Sequence, residues 1–308
     1  MDKIRSSKRQ ERASTIRRHH RAEYFGKTGM PLCVFAVHGE PSCLFHDHDF
    51  TELVVVLGGS GMHLAAPESY PIQVGDVFVI HENTGHAYQD TRNLKLINVL
   101  FDLNQLDLPV KDLVALEGYQ ALFVLEPRLR SAGGAHHHCR LSSAELGVMR
   151  ELLFNLIHEL ERKPAGYQCM AAGLFLQAVG FLSRCYSRIR DPEPRAFLRL
   201  GQTLSYIENH YVEPVTLGQL AQSAGMSPST LQRVFRRSFQ TSPIDYLIGV
   251  RVQKSLELLA AGELNVTEAA FRVGFTDSNY FARQFRKHMG LSPHDFRRQT
   301  VARAAATR

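Results

Sequence analysis

Residues 227–246 read SPSTLQRVFRRSFQTSPIDY, and residues 277–296 read DSNYFARQFRKHMGLSPHDF. At an offset of 50, Arg233, Phe235, Arg236, Ser242, Pro243 and Asp245 recur as Arg283, Phe285, Arg286, Ser292, Pro293 and Asp295. Upstream the offset is 49: Ala221 and Gly225 recur as Ala270 and Gly274, so the second copy carries one extra residue in its turn. An internal repeat constrains the fold more strongly than any single-element pattern.

Each copy reads as helix, turn, helix. Thr216-x-x-Gln219 has the form of a capping box, and Asn265-x-x-Glu268 is a looser version of it. Gly225 and Gly274 stand near the ends of the first helices, and Ser227 and Asp277 can cap the second ones, with Pro228 at the favoured first position. Leu231, Val234, Phe235 and Ser238 share one face, as do Phe281, Phe285 and Met289, so these faces are expected in a core. The opposite stripes carry Ser229, Arg233 and Arg236 in one copy and Asn279, Arg283 and Arg286 in the other. A helix fits the major groove, where Arg pairs with guanine and Asn with adenine, while flanking cations neutralise phosphate. An ordinary solvated basic face would explain one such helix; two matched copies point to a pair of DNA readers. Thr230, Arg237, Asp277, Ser278 and Lys287 complete the expected DNA-binding set. Residues 244–260 read as one long helix joining the two units.

The block VTEAAFRVGFTDSNYFARQFRKHMGLSPHDFR, with TLGQLAQSAGMSPSTLQRVFRRSF before it, resembles the AraC/XylS transcription regulators. The resemblance covers roughly residues 203–300. It implies seven helices with two helix-turn-helix units, and with them double-stranded DNA and RNA polymerase as partners.

Charge supports that reading. Residues 1–27 hold nine Lys/Arg against three Asp/Glu, residues 203–308 thirteen against eight, and residues 28–202 fourteen against nineteen. Basic ends on an acidic middle fit a polyanion partner. The 308 residues suggest two domains, and 44% hydrophobic with 21% charged residues is ordinary globular composition. No secretory h-region opens the chain, and the apolar run at 169–182 falls short of the ~20 residues of a membrane span. Five cysteines without a CxxC argue against a disulfide scaffold. A cytoplasmic protein with no membrane association is expected.

Upstream, residues 51–57, 61–65, 70–74, 76–81 and 94–101 read as short strands separated by turn signals, the pattern of a small barrel or sandwich. Among them lie His46-x-His48-x-x-x-Glu52 and, later, Gly75-Asp76 and His86. These resemble the two cupin motifs, whose metal quartet would be His46, His48, Glu52 and His86; the proline that usually precedes the last histidine is absent, and His81 stands near its place. Polar side chains in a barrel can instead hydrogen-bond a small ligand. The preferred reading is a sensor without cofactor or metal, its ligand met by His46, His48, Glu52, His63, His81 and His86. The stretch from His46 to Tyr88 is similar to the sensor barrel of L-rhamnose operon activators, which implies a monosaccharide effector.

His136-His137-His138-Cys139 reads as a loop before a helix that starts at the Ser142-x-x-Glu145 capping box. That helix has a full apolar stripe, and a second apolar helix follows at roughly 168–188. The expected class is α+β in two domains. Residues 1–24 form a basic arm without fixed structure that could touch DNA or the barrel, 25–105 a cupin-like ligand-sensing barrel and 106–190 a helical dimerisation segment. A linker at 191–196 leads to an all-α DNA-binding domain at 197–300. The function expected is a ligand-responsive, homodimeric transcription activator of sugar utilisation. The alternative is a cupin-type metalloenzyme, a sugar isomerase or dioxygenase, carrying a DNA-binding module.

Overall fold

The computed structural model describes residues 17–39, 43–65, 68–106, 108–131, 139–189 and 192–306. The chain forms two compact units that are not contiguous in sequence. Unit 1 contains residues up to Val110 together with Leu122–Ile189; unit 2 contains Lys111–Ala121 and Arg190 onward.

Unit 1 is a folded-over sheet with helices. Its strands are β1 (Arg17–His19), β2 (Leu32–His38), β3 (Cys43–His48), β4 (Thr51–Ala65), β5 (Glu68–Gln73), β6 (Asp76–Ile80), β7 (His86–Phe101) and β8 (Cys139–Arg140). The order is β1-β3-β7-β4-β6-β8, with β2 also on β7 and β5 also on β4. Two long strands, β4 and β7, pair antiparallel from Thr51↔Phe101 to Ala65↔His86. Register shifts between Val56 and Met62 bend the pair, so each strand serves both halves of the sheet. The inner face packs Val54, Val56, Tyr70, Ile72, Phe78, Ile80, Leu94 and Leu96 into one buried cluster. The expected breaks at 58–60 within β4 and before Leu94 in β7 are bends in continuous strands.

The helices of unit 1 begin with α1 (Arg21–Thr28). Next in the chain come α2 (Lys111–Val114) and α3 (Glu117–Tyr119), which belong to unit 2, and a π-helical turn Gln120–Leu125 then leads into α4 (Glu126–Ser131) of unit 1. A hairpin of α5 (Ser143–Arg162) and α6 (Tyr167–Ser187) comes next. The Ser142/Glu145 capping box forms as the sequence predicts. Helix α6 has 21 residues and is apolar enough, by length and composition alone, to cross a membrane. Its bounds lie within one residue of the 168–188 expected from sequence, and Ala171, Phe175, Ala178, Val179, Leu182 and Tyr186 bury one face of it in unit 1.

Three expectations change. Residues 17–24 of the basic arm are structured: β1 pairs in parallel with β3, and α1 starts at Arg21. The remaining arm residues, 1–16, lie outside the described residues, as do 132–138 with the triple histidine. Of the linker expected at 191–196, residues 192–196 are instead the start of helix α7 (Pro192–His210), and 191 lies outside the described residues; prolines lack an N–H that the first turn would leave unpaired anyway. Lys111–Ala121, expected in the dimerisation segment, belongs to unit 2.

Unit 2 continues with α8 (Leu217–Ser223), α9 (Pro228–Phe239), α10 (Pro243–Ala261), α11 (Val266–Arg272), α12 (Ser278–Met289) and α13 (Pro293–Ala306). With α7 these are the seven helices the resemblance implies. The repeat in sequence is a repeat in structure. Both capping boxes form, Thr216 with Gln219 and Asn265 with Glu268. Ser242 and Ser292 each accept from the backbone of an aspartate three residues on, both at 3.1 Å. Phe235 meets Tyr246 edge-on at 5.4 Å, and Phe285 meets Phe296 likewise at 5.8 Å.

Gly274 adopts φ +90°, and a Cβ there would stand 2.7 Å from the carbonyl oxygens of Tyr211 and Val212. Gly225, its counterpart, has φ +59° and open space around it. Gly225→Ala should therefore cost only the left-handed backbone, about 1–2 kcal/mol. Gly274→Ala must also displace the 211–212 backbone and should lower the melting temperature clearly further. Thermal denaturation of the two variants side by side checks this; equal losses would refute the steric argument.

Candidate ligand site and nucleic-acid interface

Three expected site residues converge inside unit 1. His48 ends β3, Glu52 lies at the start of β4 and His86 opens β7, and all three are buried. Glu52 Oε2 lies 3.2 Å from His48 Nε2 and 3.5 Å from His86 Nε2. Each imidazole is oriented from behind. His48 Nδ1 is 2.7 Å from the Phe50 carbonyl oxygen, and His86 Nδ1 is 3.2 Å from that of Thr84. A carbonyl only accepts, so both Nδ1 atoms carry the proton. In neutral rings the two Nε2 lone pairs then face a carboxylate. Three acceptors pointing at one another in a water-poor interior require an electropositive occupant. With a proton on the facing Nε2 atoms instead, hydrogen bonds and charge from His48 and His86 would outweigh the upward push of burial and hold the Glu52 carboxyl well below the usual carboxylate range.

A divalent cation suits this donor set. The three ligand atoms lie within 4.8 Å of one another. Two ligands on one tetrahedral ion at ~2.1 Å stand about 3.4 Å apart, close to the observed 3.2 and 3.5 Å. Backbone carbonyls behind both histidines are the usual outer support of metal-binding imidazoles.

The other expected ligand residues divide. His46 is half-buried and outside this trio; its ring stands against His86 at 4.2 Å and edge-on to His19 at 5.1 Å. His63 is buried nearby, with Nδ1 2.5 Å from the Tyr70 hydroxyl and its ring 5.7 Å from that of His86. His81 departs from the expectation. Its Nε2 donates to the Phe123 carbonyl at 2.7 Å, making it a tether to the π-helical turn.

The sequence allows the arm to touch the barrel but does not single out the residues that do so. His19 pairs in register with His48, and its Nδ1 lies 2.8 Å from the Tyr24 hydroxyl. Arg18 donates to Asn83 at 2.6 Å, and Arg21 reaches Asp49 and Asp102. The arm's cations thus meet acids on the sheet rim. The pattern His20-x-x-Glu23 followed by Tyr24-Phe25 was the available signal, since it marks a capped helix start with an apolar face.

The residues expected to contact DNA lie on α9 and α12 or at their starts. Ser229, Arg233, Arg236 and Arg237 on α9, and Asn279, Arg283, Arg286 and Lys287 on α12, are exposed; Leu231, Phe235, Phe281 and Phe285 are buried beneath them. Arg283 also lies over the Tyr280 ring at 5.7 Å. Ser278 is half-buried. Thr230 and Asp277 serve the caps first. The Thr230 hydroxyl is 2.9 Å from Ser227 Oγ, and Asp277 Oδ1 accepts from the Tyr280 backbone at 2.6 Å. The 19-residue α10 between the two helix-turn-helix units spans about 28 Å at 1.5 Å per residue.

Comparison with known proteins bears on both halves. Residues 220–299 match the family model of a helix-turn-helix domain, and residues 32–179 that of an AraC-like ligand binding domain. The chain belongs to the AraC family: it is a transcription regulator that couples a ligand-binding domain to paired helix-turn-helix units. It is 29% identical over 284 residues to the HTH-type transcriptional activator RhaS of Salmonella arizonae, covering 90% of this chain and 96% of that one. It is also 29% identical over 254 residues to the protein of the same name from Escherichia coli O1:K1, covering 82% and 86%. Among solved structures, the DNA-binding domain of AdpA in complex with a target DNA is 31% identical, with TM-score 0.32, covering 34% of this chain and 95% of that one.

The acceptor trio yields a direct test. Zn(II) or Mn(II) at 100 times its dissociation constant should stabilise the native protein by about 2.7 kcal/mol, and EDTA should reverse the gain. Glu52→Ala should abolish it. No thermal shift with either ion would assign the positive charge to a proton on one imidazole.

Proposed function

We propose that this regulator activates sugar-utilisation genes in the cytoplasm as a homodimer, with a monosaccharide effector, and that it works as a regulator and not as an enzyme. The observation that carries the DNA half is the matched pair of exposed stripes, Ser229/Arg233/Arg236 and Asn279/Arg283/Arg286, each over a buried aromatic floor. Long side chains on such helices reach base edges at the N-terminal turns and phosphates further along. On the ligand side, the support is a polar interior in an apolar sheet, with His48, Glu52, His63 and His86 buried together. Buried acceptors with fixed tautomers reward a polyol and penalise an apolar ligand. Similarity to activators named RhaS, together with the resemblance to L-rhamnose operon activators, supports a 6-deoxyhexose.

If a divalent cation is bound, His48, His86 and Glu52 hold it. It supplies a Lewis-acidic anchor for hydroxyl oxygens, while His46 and His63 flank the position. Helices α5 and α6 support the dimer reading, because Val148 and Met170 leave apolar side chains exposed on the hairpin. A dimer presents four reading helices, hence a footprint of about 40 base pairs at ~10 per turn. RNA polymerase is the partner that activation requires.

Fluorescence anisotropy with promoter DNA tests the assignment of readers. Arg233→Ala and Asn279→Ala should each weaken specific binding by about 1–3 kcal/mol and relax base choice at one position. Affinity for random duplex should change little. Equal losses on both duplexes would reassign these residues to phosphate contact. On the ligand side, a thermal-shift series with pentoses, hexoses and 6-deoxyhexoses should give its largest rise with a 6-deoxyhexose, and Glu52→Ala should remove it.

A further inference from the structure

The segment Lys111–Ala121 interrupts the sensor half of the sequence, yet it is built into unit 2. Helix α7 carries a seat for it. At Gly201 a Cβ would stand 2.6 Å from the Glu117 carbonyl oxygen, so the strap's backbone lies directly on the helix. One turn on, the Ser205 hydroxyl donates to the Ala115 carbonyl. A further turn on, Glu208 faces Tyr119, whose hydroxyl pKa is pushed up to about 12 by burial and by that carboxylate. Positions 201, 205 and 208 form one stripe. Tyr119, Gln120 and Ala121 are buried, and Gln120 ties the strap to itself by donating to the Val114 carbonyl at 2.6 Å.

From Leu122 on, the chain belongs to unit 1. There, His81 holds the Phe123 carbonyl, and Glu126 accepts from the buried Tyr186 hydroxyl at 2.5 Å. His81 directly follows β6, whose Ile80 pairs with Glu52 of the acceptor trio. The join between strap and barrel is therefore the π-helical turn Gln120–Leu125, with two residues counted in unit 2 and four in unit 1. A π-turn is one residue wider than an α-turn, and slipping its register by one residue rotates the downstream helix by about 100°.

We infer that Lys111–Ala121 is a structural part of the DNA-binding unit and that it carries the state of the ligand site, through His81 and the π-helical turn, to helix α7. Ligand and DNA states are coupled only where an element with two arrangements is biased by both, and this turn is anchored at both ends by specific contacts. The inference rests on the ligand site proposed above, but its test needs no effector.

Hydrogen exchange on the full-length protein in increasing urea reads the strap directly. Amides of 111–121 should open together with α7 and not with β4 and β7. His81→Ala, which releases the Phe123 carbonyl, should speed exchange at least tenfold in 111–121 as well as in 122–125, and should change affinity for promoter DNA. Gly201→Val, made independently in unit 2, should expose 111–121 while leaving exchange in β4 and β6 as in the parent. Strap amides that open with the barrel would overturn the assignment to unit 2. A His81→Ala protein with unchanged exchange in 111–121 would overturn the transmission. The sugar series addresses the effector alone, so its failure leaves both exchange outcomes readable.

Discussion

A carboxylate removed from water must be answered by positive charge, and Glu52 organises its half of the molecule around that need. Its two partners come from different strands, His48 from β3 and His86 from β7. The strands reach it because β7 pairs with β3 near one end and with β4 along its whole length. The Phe50 and Thr84 carbonyls decide which nitrogen of each ring faces inward. Sheet topology, tautomer and charge thus form one chain of causes. A sheet without the β4/β7 bend would leave the three donor atoms on separate surfaces.

Much of this was legible in the chain. The repeat of residues 227–296 gave helices, caps and aromatic floors, because caps and 3.6-residue periodicity are local rules. The reading stripes followed from the same periodicity. In the sensor half, HxHxxxE and the later histidine marked His48, Glu52 and His86, which converge in the structure, and alternation along a strand places His46 and His48 on one face. Spacing could not say that the His46 ring would pack between His86 and His19 and leave a trio. His81 was misread for a similar reason: its partner, the Phe123 carbonyl, lies 42 residues away, and backbone acceptors leave no mark in sequence. The arm was legible in part. Its lack of apolar periodicity suggested no fixed structure, whereas its charge allowed docking on the acidic body, and Arg18 and Arg21 find acids on the sheet rim. The placement of 111–121 depended on a glycine, Gly201, whose absent side chain signals nothing until a neighbour is seen upon it.

The two halves meet their partners by different physics. The helix-turn-helix units keep their polar groups exposed, so DNA binding is dominated by charge and is sensitive to salt. The sensor keeps its polar groups buried, where each unpaired acceptor is costly and selectivity comes from satisfying all of them. Exchanging one family member's ligand for another's therefore demands coordinated change across β3, β4 and β7, while the reading stripes can change one residue at a time.

Because Lys111–Ala121 folds with residues from 190 onward, no single cut in the gene separates sensor from reader. A chimaera joined near residue 190 would seat one parent's strap on the other parent's α7. At Gly201 that seat has no tolerance for a side chain. Recombination among such regulators would thus favour crossover pairs that carry the strap and α7 together. In that sense the strap ties the ancestry of the two halves as well as their structure.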